Sequence, residues 1–195
     1  MNNENKKGFQ VKDLIVTALM VVCAILLYMI SAILSFSPYT MILVSPIWAI
    51  LAAITYFLVA VRTKNPIMLL IFCIVSSLGN FYLPAIICCT IAGIISLILT
   101  KKMGCMNEKA ITIGWIVYTV AFGFGGMYVP FLFFADQTLA QYGEMFGEDY
   151  LTALTNLTSP LLAIGMLCVT AFCAFIGALI AKKMLKKHFK KAGMV

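Results

Sequence analysis

Charged residues fall at wide intervals along this chain. No Asp, Glu, Lys or Arg occurs from Leu14 to Val61, a run of 48 residues, or from Asn65 to Thr100, a run of 36. Ala110–Ala135 and Tyr150–Ala181 are equally free of charge. Within these runs the apolar residues do not keep to one stripe, as they would on a helix of a water-soluble domain. A membrane-spanning helix needs about 20 apolar residues, so each of the two longest runs must fold back on itself and each of the others makes a single pass. The pattern predicts an all-α integral membrane protein with six transmembrane helices in one membrane domain. The predicted spans are approximately 14–35, 41–61, 66–79, 84–100, 111–134 and 160–181, followed by a basic cytoplasmic tail over 182–195.

Local signals set the boundaries. Asp13 reads as the N-cap of helix one. A turn over Phe36-Ser37-Pro38-Tyr39-Thr40 leads into helix two, where Pro46 is a candidate kink. Arg62-Thr63-Lys64-Asn65-Pro66 is a polar turn that starts helix three, and Gly79-Asn80 ends it. Spans three and four are short, which predicts a tilted or incompletely buried helix. Helix five meets Gly123, Gly125, Gly126 and Pro130, poor helix material. An ordinary kink or a close helix contact explains that stretch; so does a helix opened to line a ligand pocket, since irregular backbone at membrane depth needs a covering protein or a water-filled cavity. Asp136–Ser159 is the longest exposed segment and reads either as a lid or as a plain connection. On helix six, Cys173, Gly177 and Ala181 recur at four-residue spacing, a small-residue face suited to close packing within the chain or against a partner.

Charge supplies the orientation. The 14 Lys and Arg residues form four clusters: Lys6, Lys7 and Lys12; Arg62 and Lys64; Lys101, Lys102 and Lys109; and the six lysines from Lys182 to Lys191. Four of the seven acids, Asp136, Glu144, Glu148 and Asp149, lie between the last two spans. Basic residues stay on the cytoplasmic side of short loops, and only six spans with both termini inside put every basic residue there. The basic lead and long apolar run at the N-terminus read as an uncleaved first helix rather than a signal peptide. Seven cysteines without a CxxC pair read as small packing residues, not as a disulfide framework.

The spans contain no ionisable group apart from Cys and Tyr, so they offer no coupling charge for a proton relay. The single histidine, His188, lies in the tail, which argues against a Ser–His protease and a helical HExxH zinc site. There is no GxxxxGK[ST] phosphate loop. No catalytic residue, cofactor or metal site is predicted, and the chain is read as no enzyme; uphill transport would draw its energy from another protein. What remains is a set of aromatic, amide and glycine positions at the outer ends of the helices. The candidate substrate-binding residues are Tyr39, Asn80, Tyr82, Phe124, Gly125, Gly126, Tyr128 and Gln137, with Phe36 and Phe81 nearby. Tyr is also enriched at any membrane interface. Such a pocket suits a small amphipathic or aromatic ligand. Lysines at 182, 186 and 190, and again at 183, 187 and 191, form one stripe on a helix, enough for attraction to anionic membrane lipids; nucleic acid is not expected as a partner.

Three segments carry a resemblance: Val11-Lys12-Asp13-Leu14-Ile15, Gly125-Gly126-Met127-Tyr128-Val129-Pro130-Phe131, and the ending Lys186-Lys187-His188-Phe189-Lys190-Lys191-Ala192-Gly193-Met194-Val195. Together with the length and six-span layout they resemble the Trep_Strep family of small bacterial membrane proteins, regarded as substrate-binding S components of energy-coupling factor (ECF) transporters. The resemblance implies an S-component-like bundle in the bacterial plasma membrane that captures a scarce nutrient from outside. It also implies partners, a transmembrane T component and two cytoplasmic ATPases, which topple the S component to deliver its cargo. In better-known S components an Ala-x-x-x-Ala pair on helix one contacts the T component. Here the nearest registers are Ala18 with Val22 and Thr17 with Val21, each lacking the second alanine, and Gly177 on helix six is a further docking candidate. The alternatives are a noncatalytic interaction or sensor subunit and a membrane enzyme with a Cys or Tyr nucleophile. Among substrates, an aromatic vitamin-like compound or a porphyrin fits the aromatic residues better than a hard metal ion does.

Overall fold

A computed structural model describes residues 10–80 and 82–191, apart from the side chains of 137, 139–143 and 187–191. Every regular element among them is helical. Helix α1, Val11–Ala32, continues through a 3-10 turn, Ile33–Phe36. The short α2, Pro38–Met41, precedes α3, Val44–Leu51, and α4, Ala53–Thr63. Helix α5, Pro66–Ser77, ends in a 3-10 turn, Leu78–Asn80, and α6 covers Leu83–Met103. Helix α7, Glu108–Gly123, passes through a π turn, Phe124–Tyr128, into α8, Val129–Phe133. Then come α9, Ala135–Phe146, α10, Glu148–Leu157, and α11, Pro160–Lys191.

Five of these stretches are long and apolar enough to cross a membrane: Val11–Phe36, Val44–Thr63, Leu83–Met103, Glu108–Phe133 and Pro160–Lys186. Pro66–Asn80 is apolar but shorter; at 1.5 Å per residue it reaches only about 22 Å. That agrees with the expectation that helix three is short. Helix four is not short: it extends to Met103, because Lys101 and Lys102 complete its last turn, where cations meet the unpaired carbonyls favourably.

Several other boundaries differ from the sequence reading. Asp13 lies in the first turn of α1, whose N-cap is Gln10. Pro46 does not kink helix two. It sits in the first turn of α3, where a missing N–H leaves no bond unmade; the interruption falls at Ala52, between α3 and α4. Asn107 caps α7 by accepting from the backbone N–H groups of Lys109 and Ala110 at 2.9 and 3.2 Å. The glycine-rich stretch does not open the helix. Val129 N–H bonds to Phe124 O, five residues back, and the widened turn precedes Pro130, whose ring would press on the Gly126 carbonyl in regular α geometry. The segment 136–159 is two amphipathic helices hinged at Gly147, where φ is +86°, rather than an exposed loop. Over 182–191 the basic segment continues helix six, since α11 runs unbroken to Lys191; 192–195 lie outside the described residues.

Aromatic rings fill the centre of the bundle. Trp48, Tyr56, Phe72, Trp115, Tyr118 and Phe122 are all buried and packed on one another. Their polar atoms are bonded between helices: Trp48 Nε1 donates to Ala24 O at 3.0 Å, Trp115 Nε1 to Ala49 O at 3.1 Å, the Tyr56 hydroxyl pairs with Ser96 Oγ, and the Tyr118 hydroxyl with Ser76 Oγ at 2.7 Å. Buried threonines satisfy themselves on their own helices, as Thr17 does on Asp13 O and Thr119 on Trp115 O. At the lysine-bearing end, Lys182 and Lys186 on α11 approach Glu108 on α7 at 3.9 and 3.4 Å. These half-exposed pairs contribute little, about 0–1 kcal/mol each.

Gly177 sits where α11 crosses α3. A Cβ there would lie 2.6 Å from Ala49 O and 2.9 Å from Ile50 Cα, backbone atoms that cannot step aside. We expect Gly177→Ala to destabilise the purified protein by about 1–3 kcal/mol, the usual cost of overpacking. Gly165→Ala, on the same helix with nothing within 4 Å of its Cβ position, is expected to leave the melting temperature in detergent unchanged or slightly raised, since alanine suits a helix interior better than glycine. Equal melting temperatures for the two variants would refute the crossing.

Candidate functional site

At the end of the bundle away from the lysines, the helices part around a cavity of about 90 Å³, lined by Tyr28, Ser35, Met41, Val44, Ser45, Asn80, Phe122, Gly126 and Met127. Its floor is the top of the aromatic core: Phe122 stacks on Trp48 with centroids 4.2 Å apart and meets Tyr28 edge-on at 5.2 Å. Among the described residues its walls carry an amide and three hydroxyl-bearing side chains, and no Asp, Glu, Lys, Arg or His.

Asn80 is the exceptional group. Its Nδ2 is fully enclosed and finds no hydrogen-bond partner among the described residues. Leaving such a donor unpaired costs about 1–3 kcal/mol, so buried polar groups normally have partners. Gly126 is what gives the amide its space. A Cβ on Gly126 would lie 3.2 Å from Asn80 Nδ2 and 3.3 Å from its Oδ1, so any side chain there would press on the amide.

Above the cavity lies a second buried cluster of Met41, Met127, Tyr128, Phe131, Tyr150, Leu154 and Ala163. Helix α10 lies across α2 and holds it down. The Tyr150 hydroxyl donates to Ser35 O at 2.7 Å and approaches Met41 Sδ at 3.2 Å, and its ring stacks on Phe146 at 4.7 Å. One side chain of this helical cap thus contacts two residues of the cavity wall.

Of the residues proposed from sequence for the pocket, the structure brings Asn80 and Gly126 together in the cavity. Tyr128 is buried in the upper cluster and Phe124 packs against it. Gly125 faces the other way, with its Cβ position 2.7 Å from Ala85 Cα on α6, a close helix contact. Tyr39 is 66% exposed, on α2. Tyr82 is half-buried at the start of α6, and partial desolvation pushes its phenol pKa upward. The side chain of Gln137 and the whole of Phe81 lie outside the described residues. Sequence reasoning missed Tyr28, Ser35, Met41, Val44, Ser45, Phe122 and Met127. On helix one, Ala18 and Val22 are exposed whereas Thr17 and Val21 are buried, and Gly177 is packed against α3.

The cavity holds no group of ≥ 3 His, Cys, Asp or Glu suited to a metal; none exists among the described residues. Its size also argues against a porphyrin, since drug-sized pockets run to about 300–1,000 Å³.

The Tyr150 contacts give a direct test of the cap. In Tyr150→Phe the ring stays and the hydroxyl goes. Backbone hydrogen exchange over 148–157 is expected to accelerate several-fold, in line with the ~0.5–1.5 kcal/mol that one hydrogen bond contributes, with α6 and α7 unaffected. Unchanged exchange in the cap would show that these contacts do not hold it.

No curated protein and no solved structure matches the chain. A family model described as "Hypothetical bacterial integral membrane protein (Trep_Strep)" matches residues 11–191. With nearly its whole length matched, the chain belongs to the Trep_Strep family of bacterial integral membrane proteins.

Proposed function

We propose that this chain is the substrate-binding S component of an ECF transporter: a multi-pass protein of the bacterial plasma membrane that binds a small nutrient outside and delivers it inward. The observation that carries the reading is the partly open cavity lined by Asn80 and three hydroxyl-bearing residues, with α10 packed against its wall, at the end opposite the lysines. In this reading Pro66–Asn80 is the sixth and shortest span, both termini are cytoplasmic by the retention of basic residues, and the cavity faces outward. The lysines of α11 meet anionic lipid headgroups.

The chemistry of the chain favours a passive binding role within a larger machine. Among the described residues no carboxylate, histidine or basic side chain lines the cavity, which leaves no carrier there for ion coupling. The sequence has no phosphate-binding loop for ATP. A T component and two cytoplasmic ATPases would supply the energy. For docking, α1 offers the register of Ala18 and Val22, which is exposed and continuous with Leu14, Ile15, Leu19 and Leu26. Thr17, Val21 and Gly177 are taken up by contacts within the chain.

Mild-detergent purification of the tagged protein from its native membranes, read by mass spectrometry, is expected to recover one further membrane protein and two ATPases. Recovery of the chain alone, under conditions that preserve other ECF complexes, would overturn the assignment in favour of a noncatalytic interaction or sensor subunit. Ala18→Trp is expected to lose these partners while keeping the wild-type melting temperature. Ile91→Trp, on an exposed position of α6, is expected to retain them. Full recovery with Ala18→Trp would remove α1 as the docking face.

A further inference from the structure

Exposed apolar side chains stand at the lysine-free ends of the spans: Phe36 after α1, Leu83 at the start of α6, Phe133 and Phe134 at the end of α8, and Leu161 at the start of α11. Basic residues stand at the other ends. At 1.5 Å per residue, Leu83 to Lys101 rises about 27 Å and Leu161 to Lys182 about 32 Å, against a hydrocarbon core about 30 Å thick. The exposed rim therefore marks the edge of the hydrocarbon in that leaflet.

The segment between the last two spans leaves this rim and comes back to it. Helix α9 begins directly after Phe134, and α11 opens with Pro160 and Leu161. Midway the chain is pinned to the rim again: Tyr150, in the first turn of α10, donates to Ser35 O at 2.7 Å, and Ser35 adjoins Phe36. Phe146, the last residue of α9, stacks on Tyr150 at 4.7 Å. Both ends of α9 and of α10 thus lie at the level of the rim, so the two helices run along the membrane plane rather than out from it.

They differ in what their apolar sides meet. Helix α10 spends Tyr150 and Leu154 on the cluster with Met41 and Phe131. Helix α9 is also amphipathic, but among the described residues only Phe146 joins that cluster from α9, and its main contacts are with its chain neighbours α8 and α10. Phe134 and Met145 stay exposed. They are eleven residues apart, about three helical turns, so they fall on one side of α9. A strongly amphipathic helix of low overall hydropathy, lying in the plane, settles at the boundary between headgroups and acyl chains.

We propose that α9 is an interfacial helix whose partner is the phospholipid surface, with Phe134 and Met145 in the acyl boundary and the exposed Asp136 and Glu144 among the headgroups. This surface continues the lipid-facing side of the span Glu108–Phe133. With two acids and no Lys or Arg in α9, it suits zwitterionic headgroups. Gly147, at φ +86°, then divides a lipid-held helix from a protein-held one. The proposal rests on the chain being an integral membrane protein and not on the transporter reading.

Tryptophan depth is the test. Full-length Phe134→Trp, Met145→Trp and Thr152→Trp, the last at an exposed position of α10, are reconstituted in phosphatidylcholine vesicles with iodide on both sides. The signal of Trp48 and Trp115, both buried, is subtracted using the wild type. Phe134→Trp and Met145→Trp are expected to be quenched at least about twofold more by lipid brominated near the top of the acyl chain than by lipid brominated near its end, as a depth of about 5–10 Å requires, and to resist iodide. Thr152→Trp is expected to show iodide quenching without lipid quenching. Each of the first two variants decides by itself if the other does not keep the wild-type melting temperature. Iodide quenching of Met145→Trp or Phe134→Trp without lipid quenching would overturn the proposal by placing α9 in water. Stronger quenching of either by the deeper bromine would overturn it by placing the rim inside the hydrocarbon, and lipid quenching of Thr152→Trp would overturn the flat arrangement of the two helices.

Discussion

The carbonyl of Ala49 is where three helices of this bundle are fixed to one another. It belongs to α3, accepts the indole N–H of Trp115 from α7, and stands in the space that any side chain at Gly177 on α11 would require. In a lipid-embedded chain no water is at hand to take over an indole or a phenol that loses its partner, so such bonds set register as well as adding stability. Trp48 makes the equivalent bond to Ala24 on α1, and the hydroxyls of Tyr56 and Tyr118 reach α6 and α5. Moving α1 or any of α3 to α7 by a turn would strand at least one of these donors. The same constraint is what makes Asn80 informative, because it is the one buried side-chain donor among the described residues that the fold leaves unpaired.

Cavity and cap are not independent. Tyr150 bonds to the backbone of Ser35 and touches the sulfur of Met41, and both residues line the cavity. A displacement of α10 therefore alters the wall directly, and a group that pushed the wall outward would act on the cap. The hinge at Gly147 carries a positive φ that glycine adopts without strain. The π turn beside Met127 places the other side of the wall just after the last regular turn of α7. The site is thus built where the regular helices end, and regular helices account for the rest of the molecule.

How much of this was legible beforehand follows from what each signal measures. Charge spacing registers lipid exposure, so the long apolar helices stood out. It cannot register a break such as Ala52, which depends on the packing of α3 rather than on a helix-breaking residue. It also missed α9 and α10, whose amphipathic pattern is that of helices lying on a surface rather than crossing a membrane. Within the site, Asn80 and Gly126 were accessible because an amide and a paired glycine stand out near the ends of apolar runs. Ser35, Ser45 and Phe122 did not stand out, since nothing in their own segments says which face meets the cavity. One usable signal went unread: Tyr28, Ser31 and Ser35 fall at i, i+3 and i+7, a polar stripe on an otherwise apolar helix. Aromatic composition, by contrast, pointed too far outward, to Tyr39, because rings at a membrane interface and rings around a ligand look alike in sequence.

The floor of the cavity bears on how its contents could reach the other side. Directly beneath Phe122 lie Trp48, Trp115, Tyr118 and Tyr56, stacked, tilted or edge-on with centroids 4.2 to 6.5 Å apart, and all four are essentially inaccessible. A passage through them would have to unpack the largest side chains of the core and break the bonds to Ala24 and Ala49 that hold α1, α3 and α7 in register. Interiors packed to this density switch between discrete arrangements rather than deform smoothly. In the proposed S-component role, a substrate held above this plug would be delivered more cheaply by turning the whole bundle in the membrane than by opening a path through it. In that role the lever for such a reorientation would come from the proposed T component and its ATPases.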